Sequence, residues 1–332
     1  MEAHTFLDRC AQHHKRTHLI GDLRFGVIAG LDLEGRLFTV RDGHVINRVN
    51  AAAISGNSGT AGNSGTAGNS GPAGNSAAAG WLNPGGDGLW PAPEGSRLGY
   101  LYATGAWGVP PAISNARYVV AASTATSAVL QADLDLINAE SLGVPVRAER
   151  AISLAQAGHD LVVTCVESLT YRGTRQLSHD ECLLAPWSLS QFDCGPGCVT
   201  VFPDGGPDCV WDLYGPSETH RTLHQELHQG LWQVRTDGSA RFQLGLSAAV
   251  PWIEFRRPDG LRVRRSATIS ADQTYIDLAD RPPASEPDPR SCRYSIYSDA
   301  SGFMEIEAAG GMPSVLLPGT RLALTVVTTI ST

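Results

Sequence analysis

The sequence predicts an all-β protein, a sandwich or barrel of many short strands with few short helices, on three observations. Runs of β-branched and aromatic residues recur along the chain. Glycine, proline and Asp-Gly turn signals separate them at close spacing. Apolar periodicity of the helical kind is scarce. Taken from the N-terminus, the first dozen residues are one of two helix candidates. Residues 56–80, GNSGTAGNSGTAGNSGPAGNSAAAG, run a six-residue unit four times with drift. That period is too short for a helical solenoid, and the tract has no large apolar side chain to bury. It therefore reads as an expanded surface loop. Leu161 to Val166 is a β-rich run, and Thr219 to Gly230 is the second helix candidate.

Two hairpins are predicted next. Trp232 to Arg235 leads through Thr236-Asp237-Gly238-Ser239 to Arg241 to Leu244; Trp252 to Phe255 leads through Pro258-Asp259-Gly260 to Leu261 to Arg264. Asp-Gly between alternating runs signals a hairpin because glycine accepts the positive φ of the turn. Arg281 to Arg290, RPPASEPDPR, is a linker candidate. Only about forty residues follow it, too few for a core of their own. Leu322 to Val327 is a further β-rich run. The organisation expected is one domain over residues 1–332 with residues 56–80 as a low-complexity loop insertion.

Composition bounds the function. A chain of 332 residues buries roughly 75% of its unfolded surface and needs no staples. The net charge is −8 and the sequence pI about 5.7, so a nucleic-acid partner is not expected. Lys15 is the only lysine and sits in the polar run His13-His14-Lys15-Arg16. Schiff-base chemistry needs a buried lysine, so pyridoxal-phosphate enzymes drop out. No Gly-Lys-Ser/Thr phosphate loop, no dinucleotide fingerprint and no Gly-x-Ser-x-Gly elbow is present. No cofactor is called for. The start lacks the apolar core of a signal peptide, and no stretch nears the ~20 apolar residues of a membrane span. Seven cysteines at irregular spacing fit reduced thiols. The expectation is a cytoplasmic protein with no membrane partner.

Three clusters carry chemistry. Residues 81–95 join Trp81, Asp87, Trp90 and Glu94 among glycines and prolines, with Trp107 following. Indole faces cover the C–H patches of a sugar ring and carboxylates accept its hydroxyls; a buried turn packed with tryptophan uses the same residues. His179 stands beside Asp180 and Glu181 as a general-acid candidate, or as part of a solvated turn. Glu305 and Glu307 share one face of a strand about 7 Å apart, which raises one carboxyl toward the range of a general base; the wet face of a half-exposed strand is the alternative. His220, His224 and His228 share a face if helical, but i and i+8 are roughly 12 Å apart, too far for one ion. Cys194 and Cys198 lack the two-residue zinc spacing, and with Cys209 they are a further zinc candidate. A metal is not expected.

Read together, NPGGDGLWPAPEG (83–95), LLAPWSLSQFDCGPG (183–197) and GFMEIEAAGG (302–311) with LLPGTRLALTVV (316–327) resemble a bacterial branch of the galactose mutarotase-like (aldose 1-epimerase-like) superfamily. The resemblance spans nearly the whole chain. It implies a β-supersandwich whose sheet face holds a sugar. In that family a glutamate near the C-terminus takes the proton of the anomeric hydroxyl, and a histidine in an Asn-His-x-Tyr-Phe run protonates the ring oxygen. Glu307 matches the glutamate, with Glu305 as second candidate. Ala185-Pro186-Trp187 stands where the histidine run is expected, so the acid is open, with His179 or Asp87 as substitutes. The function expected is carbohydrate-active, in its enzymatic form aldose 1-epimerase-like with Glu307 as base. Trp90, Trp107 and Trp187 are expected to stack on the sugar, and Asp87, Glu94, Arg97 and Arg175 to bind hydroxyls. The alternative is a non-catalytic carbohydrate-binding or regulatory module, which the missing histidine favours.

Overall fold

The computed structural model describes residues 1–56, 81–213, 224–228, 230–268, 273–275, 278, 280–288, 290 and 292–332, with the backbone alone for 224–228 and 275. The repeat tract expected as a loop insertion falls outside the described residues after Gly56.

Among the described residues, two large antiparallel sheets of ten strands each make the fold. The first runs, in spatial order, Thr17–Gly21, Phe25–Gly30, Arg36–Arg41, Asp87–Ala92, Ala185–Asp193, Phe303–Ala309, Tyr294–Asp299, Phe242–Leu246 and Val210–Asp212, with His44–Val45 hung on Arg36–Arg41. The second runs His224–His228, Leu231–Arg235, Val199–Pro203, Ile253–Arg256, Arg262–Ala267, Arg321–Ser331, Asp160–Tyr171, Gly143–Ala157, Ser127–Ile137 and Val119–Ser123. The all-β architecture is the one expected. The β-rich runs beginning at Leu161 and Leu322 lie in neighbouring strands and pair Leu161 with Ile330 and Cys165 with Val326.

The two sheets differ in how their sequences alternate. In Ser127–Ile137, Ala128, Leu130, Ala132, Leu134 and Leu136 point inward while Gln131, Asp133 and Asp135 alternate outward. That is the pattern of a sheet with one wet face. Arg147 on the next strand meets Asp133 there in a two-bonded ion pair of 2.8 and 3.0 Å. The strands Tyr294–Asp299 and Phe303–Ala309 of the first sheet are instead buried at every position. Their polar residues are therefore covered too, which costs free energy unless they are bonded or used.

Helix Ala3–Gln12 forms where expected. It buries Ala3, Phe6 and Cys10 on one stripe and sets Phe6 against Phe38 with ring centroids 4.5 Å apart. Burial of such a ring contributes about 1.5–3 kcal/mol. The second helix candidate is corrected: residues 224–228 are a strand paired with Leu231–Arg235, and residues 219–223 lie outside the described ones.

Of the two expected hairpins, one forms. Ile253–Arg256 pairs with Arg262–Ala267 around Asp259-Gly260, with Gly260 at φ 99°. The other does not. Leu231–Arg235 belongs to the second sheet, on Val199–Pro203, while Phe242–Leu246 belongs to the first, on Tyr294–Asp299. Asp237-Gly238 thus carries the chain from one sheet to the other, at a Gly238 φ of 74°. The Pro-rich stretch is no free linker: the Arg281 and Ser285 carbonyls accept hydrogen bonds from the Ser96 and Arg97 amides.

Between the sheets lies a buried ionic layer. Arg150 bonds Glu167 and Asp87, each at 2.6 Å, and Arg265 reaches Asp87 at 2.9 Å and the Ser188 hydroxyl at 2.7 Å. Two arginines and two carboxylates balance in charge, which is the condition for keeping ions away from water.

Candidate functional site

The side chains of the first sheet alternate between the ionic layer and a cleft on its other face. On Ala185–Asp193, Ser188 and Ser190 turn toward the second sheet, while Trp187, Leu189 and Gln191 line the cleft. Register completes the wall. Trp187 opposes Trp90, Leu189 opposes Glu307, Gln191 opposes Glu305, and Glu307 and Glu305 oppose Ser295 and Tyr297 on their far side. Gln243 opposes Tyr297 on the next strand. Asn83, Glu94 and Phe303 complete the lining. The atom-free space of the cleft and its mouth, open solvent included, is about 380 Å³.

Glu307 is 1% exposed and accepts hydrogen bonds from Trp187 Nε1 at 3.0 Å and Gln243 Nε2 at 3.5 Å. Gln191 Nε2 donates to Glu305 at 2.7 Å. Glu94 sits in the loop after Asp87–Ala92, where Trp107 Nε1 donates to its Oε1 at 2.9 Å. Trp90 packs edge-on to Trp187 with centroids 5.9 Å apart, and Trp81 bridges Trp90 and Trp107 at 6.1 and 6.4 Å. Three buried polar atoms of the lining have no hydrogen-bond partner: Trp90 Nε1, Gln191 Oε1 and Gln243 Oε1.

The carboxyls of the cleft hold their protons unusually well. Burial first, then the neighbouring Glu307, pushes Glu305 well above the carboxylate range. Burial also raises Glu307, but the polar groups beside it, Glu305, Ser295, Trp187 and Gln243, work the other way. Of this pair Glu307 therefore ionises first. Burial and then the Asp280 carboxyl push Glu94 well above its ordinary value, against the pull of the Trp107 N–H. Burial pushes Asp280 up to about 6, opposed by the Tyr102 hydroxyl and Arg241. One face thus presents a carboxylate held by N–H donors beside carboxyls that keep their protons. That is the equipment for proton exchange with a bound molecule.

The sequence candidates divide. Trp90, Glu94, Trp187, Glu305 and Glu307 come together in the cleft. Trp107 stands behind Glu94 rather than in the lining. Asp87 is one residue out of phase with Gly88 and Trp90, so it points into the ionic layer and lines a second cavity between the sheets. Arg97 is tied to Glu140 and Glu286, each at 2.9 Å, and Arg175 to Glu181 at 2.8 Å, all outside the cleft. His179 Nε2 sits 2.8 Å from the Pro313 carbonyl, also outside it. Leu189, Gln191, Gln243, Tyr297 and Phe303 escaped sequence reasoning. Given Trp187 on a strand, period two points to Leu189 and Gln191; Gln243 and Tyr297 carry no local signal.

No cluster of three or more His, Cys, Asp or Glu able to hold a metal occurs among the described residues. His220 lies outside them, as do the side chains of His224 and His228. No disulfide forms among the described cysteines. No helix among the described residues is long and apolar enough to cross a membrane.

No protein-family model and no curated protein sequence matches the chain. Solved structures do. The Slr1438 protein of Synechocystis sp. PCC 6803 superposes with a TM-score of 0.57 at 12% identity, over 96% of both chains. A galactose mutarotase-like protein of Lactobacillus casei ATCC 334 gives 0.55 at 10% identity, over 95% of this chain and 100% of its own. A galactose mutarotase related enzyme of Lactobacillus acidophilus gives 0.51 at 8% identity, over 96% and 98%. At these identities the likeness is one of fold.

Proposed function

We propose, for a chain whose fold is the β-sandwich of the galactose mutarotase-like proteins, that the cleft binds a carbohydrate and interconverts the anomers of an aldose, with Glu307 as general base. The observation that carries the reading is the setting of Glu307. It lies in a cleft walled by Trp90 and Trp187, and the Trp187 and Gln243 N–H groups hold it as an acceptor. Indoles give apolar area for a sugar ring. Trp90 Nε1, Gln191 Oε1 and Gln243 Oε1 leave buried polar valences that hydroxyls satisfy, each unmet one costing about 1–3 kcal/mol. Removing the O1 proton as the ring C–O bond breaks lowers the barrier, and a positioned base typically contributes 10²–10⁴-fold.

The test is polarimetry on freshly dissolved α-D-galactose and α-D-glucose. The wild type is expected to accelerate mutarotation of at least one, and Glu307→Gln to lose roughly 10²–10⁴-fold in kcat. A second reading, a binding or regulatory module without turnover, is favoured by one observation: no histidine lines the cleft among the described residues. Saturation transfer to a sugar without acceleration by the wild type establishes that reading instead.

A further inference from the structure

Anomer exchange needs a proton delivered to the ring oxygen, and His179 is not in the cleft to deliver it. We infer that Glu94 is the acid of this site, acting with Glu307 in the same cleft. The inference rests on the carbohydrate reading above and supplies the group that reading lacks.

Position comes first. Glu307 stands on Phe303–Ala309, and Glu94 follows Asp87–Ala92 by two residues. Ala185–Asp193 lies between those strands, which sets the two strands about 10 Å apart. Register puts Glu307 level with Leu189 and Gly88, Glu94 stands six residues further along, and the two carboxyls line the same cleft. Glu94 lines the cleft while being only 2% exposed. Trp107 Nε1 donates to its Oε1 at 2.9 Å. Trp107 is itself buried, and its ring packs on Trp81, so the carboxyl is held by a rigid partner.

The surroundings keep a proton on it. Asp280 reaches Glu94 as the first charge after burial itself, with Glu307 and Glu305 behind it, and all three disfavour a Glu94 anion. Asp280 accepts a hydrogen bond from the Tyr102 hydroxyl at its Oδ1, while its Oδ2 is buried without a partner. Arg241, near Asp280, pulls the other way on that carboxyl. The Trp107 N–H favours the Glu94 anion.

The step balances. Glu94 gives its proton to the ring oxygen, and the C1–O bond breaks with its electron pair moving to that oxygen. Glu307 takes the O1 proton, and that O–H pair becomes the second bond of the C1 carbonyl. The open aldehyde turns about C1–C2. The reverse transfers then close the ring on the other face and restore Glu94 as acid and Glu307 as base.

The test uses the full chain with α-D-galactose and α-D-glucose. Polarimetry gives kcat across pH, and saturation-transfer NMR gives binding. Glu94→Gln is expected to lower kcat by roughly 10²–10⁴-fold with sugar binding kept within a few-fold. Two variants move the alkaline limb of the pH profile in opposite directions. Asp280→Asn removes a repelling charge and shifts it to lower pH; Trp107→Phe removes the donor that favours the anion and shifts it to higher pH. A merely structural role produces no such opposed pair, and these variants decide the matter if Glu94→Gln does not fold. Normal kcat in Glu94→Gln beside an inactive Glu307→Gln, or an alkaline limb that stays put in both other variants, overturns Glu94 and leaves the carbohydrate reading standing. A wild type that accelerates neither sugar overturns both the anomer-exchange reading and the Glu94 assignment.

Discussion

Asp280 shows how a single buried carboxyl couples the site to stability. Its folded pKa is raised to about 6 from an ordinary 3.8. The sign follows from linkage: below pH ~4 both folded and unfolded chains hold the proton, and between pH ~4 and ~6 only the folded chain does. Stability therefore falls as pH rises through that window, by about 3 kcal/mol for a shift of this size. Asn at this position has no proton to lose. Asp280→Asn is expected to melt at higher temperature than wild type at pH 7, with the gap closing below pH 4. Thermal melts from pH 3.5 to 8 check it, and a gap that is constant with pH contradicts it. Glu94 and Glu305 are raised in the same sense, so acid pH is expected to favour the intact cleft more than a count of surface ion pairs suggests.

At the level of the element, two Asp-Gly turns with the same local sequence logic do different things. Gly260 closes a hairpin at φ 99°, where an added Cβ would meet nothing nearer than Thr332 C at 4.0 Å; Gly238 crosses between sheets at φ 74°, where an added Cβ would stand 2.9 Å from Gly302 Cα. Gly260→Ala is expected to cost about 1–2 kcal/mol, for the conformation alone. Gly238→Ala is expected to cost more, because backbone must also move. Urea unfolding of the two variants checks the order, and the reverse order contradicts the crossover. The pair also marks where sequence reading stops. Turn chemistry and alternation are local, so strands and their bends were legible. The partner of Phe242–Leu246 is Tyr294–Asp299, some fifty residues away, and no local pattern names it. Gln243 and Tyr297 joined the cleft unseen for that reason. Glu307 was legible from the alternation of its own strand, and Trp187 only through the family resemblance.

For the molecule as a whole, the ionic layer between the sheets decides what Asp87 does. Reading Asp87 as a sugar ligand rested on its nearness in sequence to Trp90, yet successive strand residues face opposite ways. Asp87 balances Arg150 and Arg265 in the interior. Removing one member of a buried ion pair typically costs 3–5 kcal/mol. Asp87→Ala is expected to lose about that much in urea unfolding while saturation transfer from galactose persists; lost transfer at full stability places Asp87 on the sugar instead. The same alternation has an evolutionary corollary. Leu189, Gln191, Gln243 and Tyr297 sit on strands whose intervening residues hold the sheets together. If the cleft binds a carbohydrate as proposed, drift at these four positions, or a combinatorial library confined to them, is expected to alter which one is bound while the scaffold's adhesive half stays untouched. Such a division would let one architecture diversify its ligands without renegotiating its own folding.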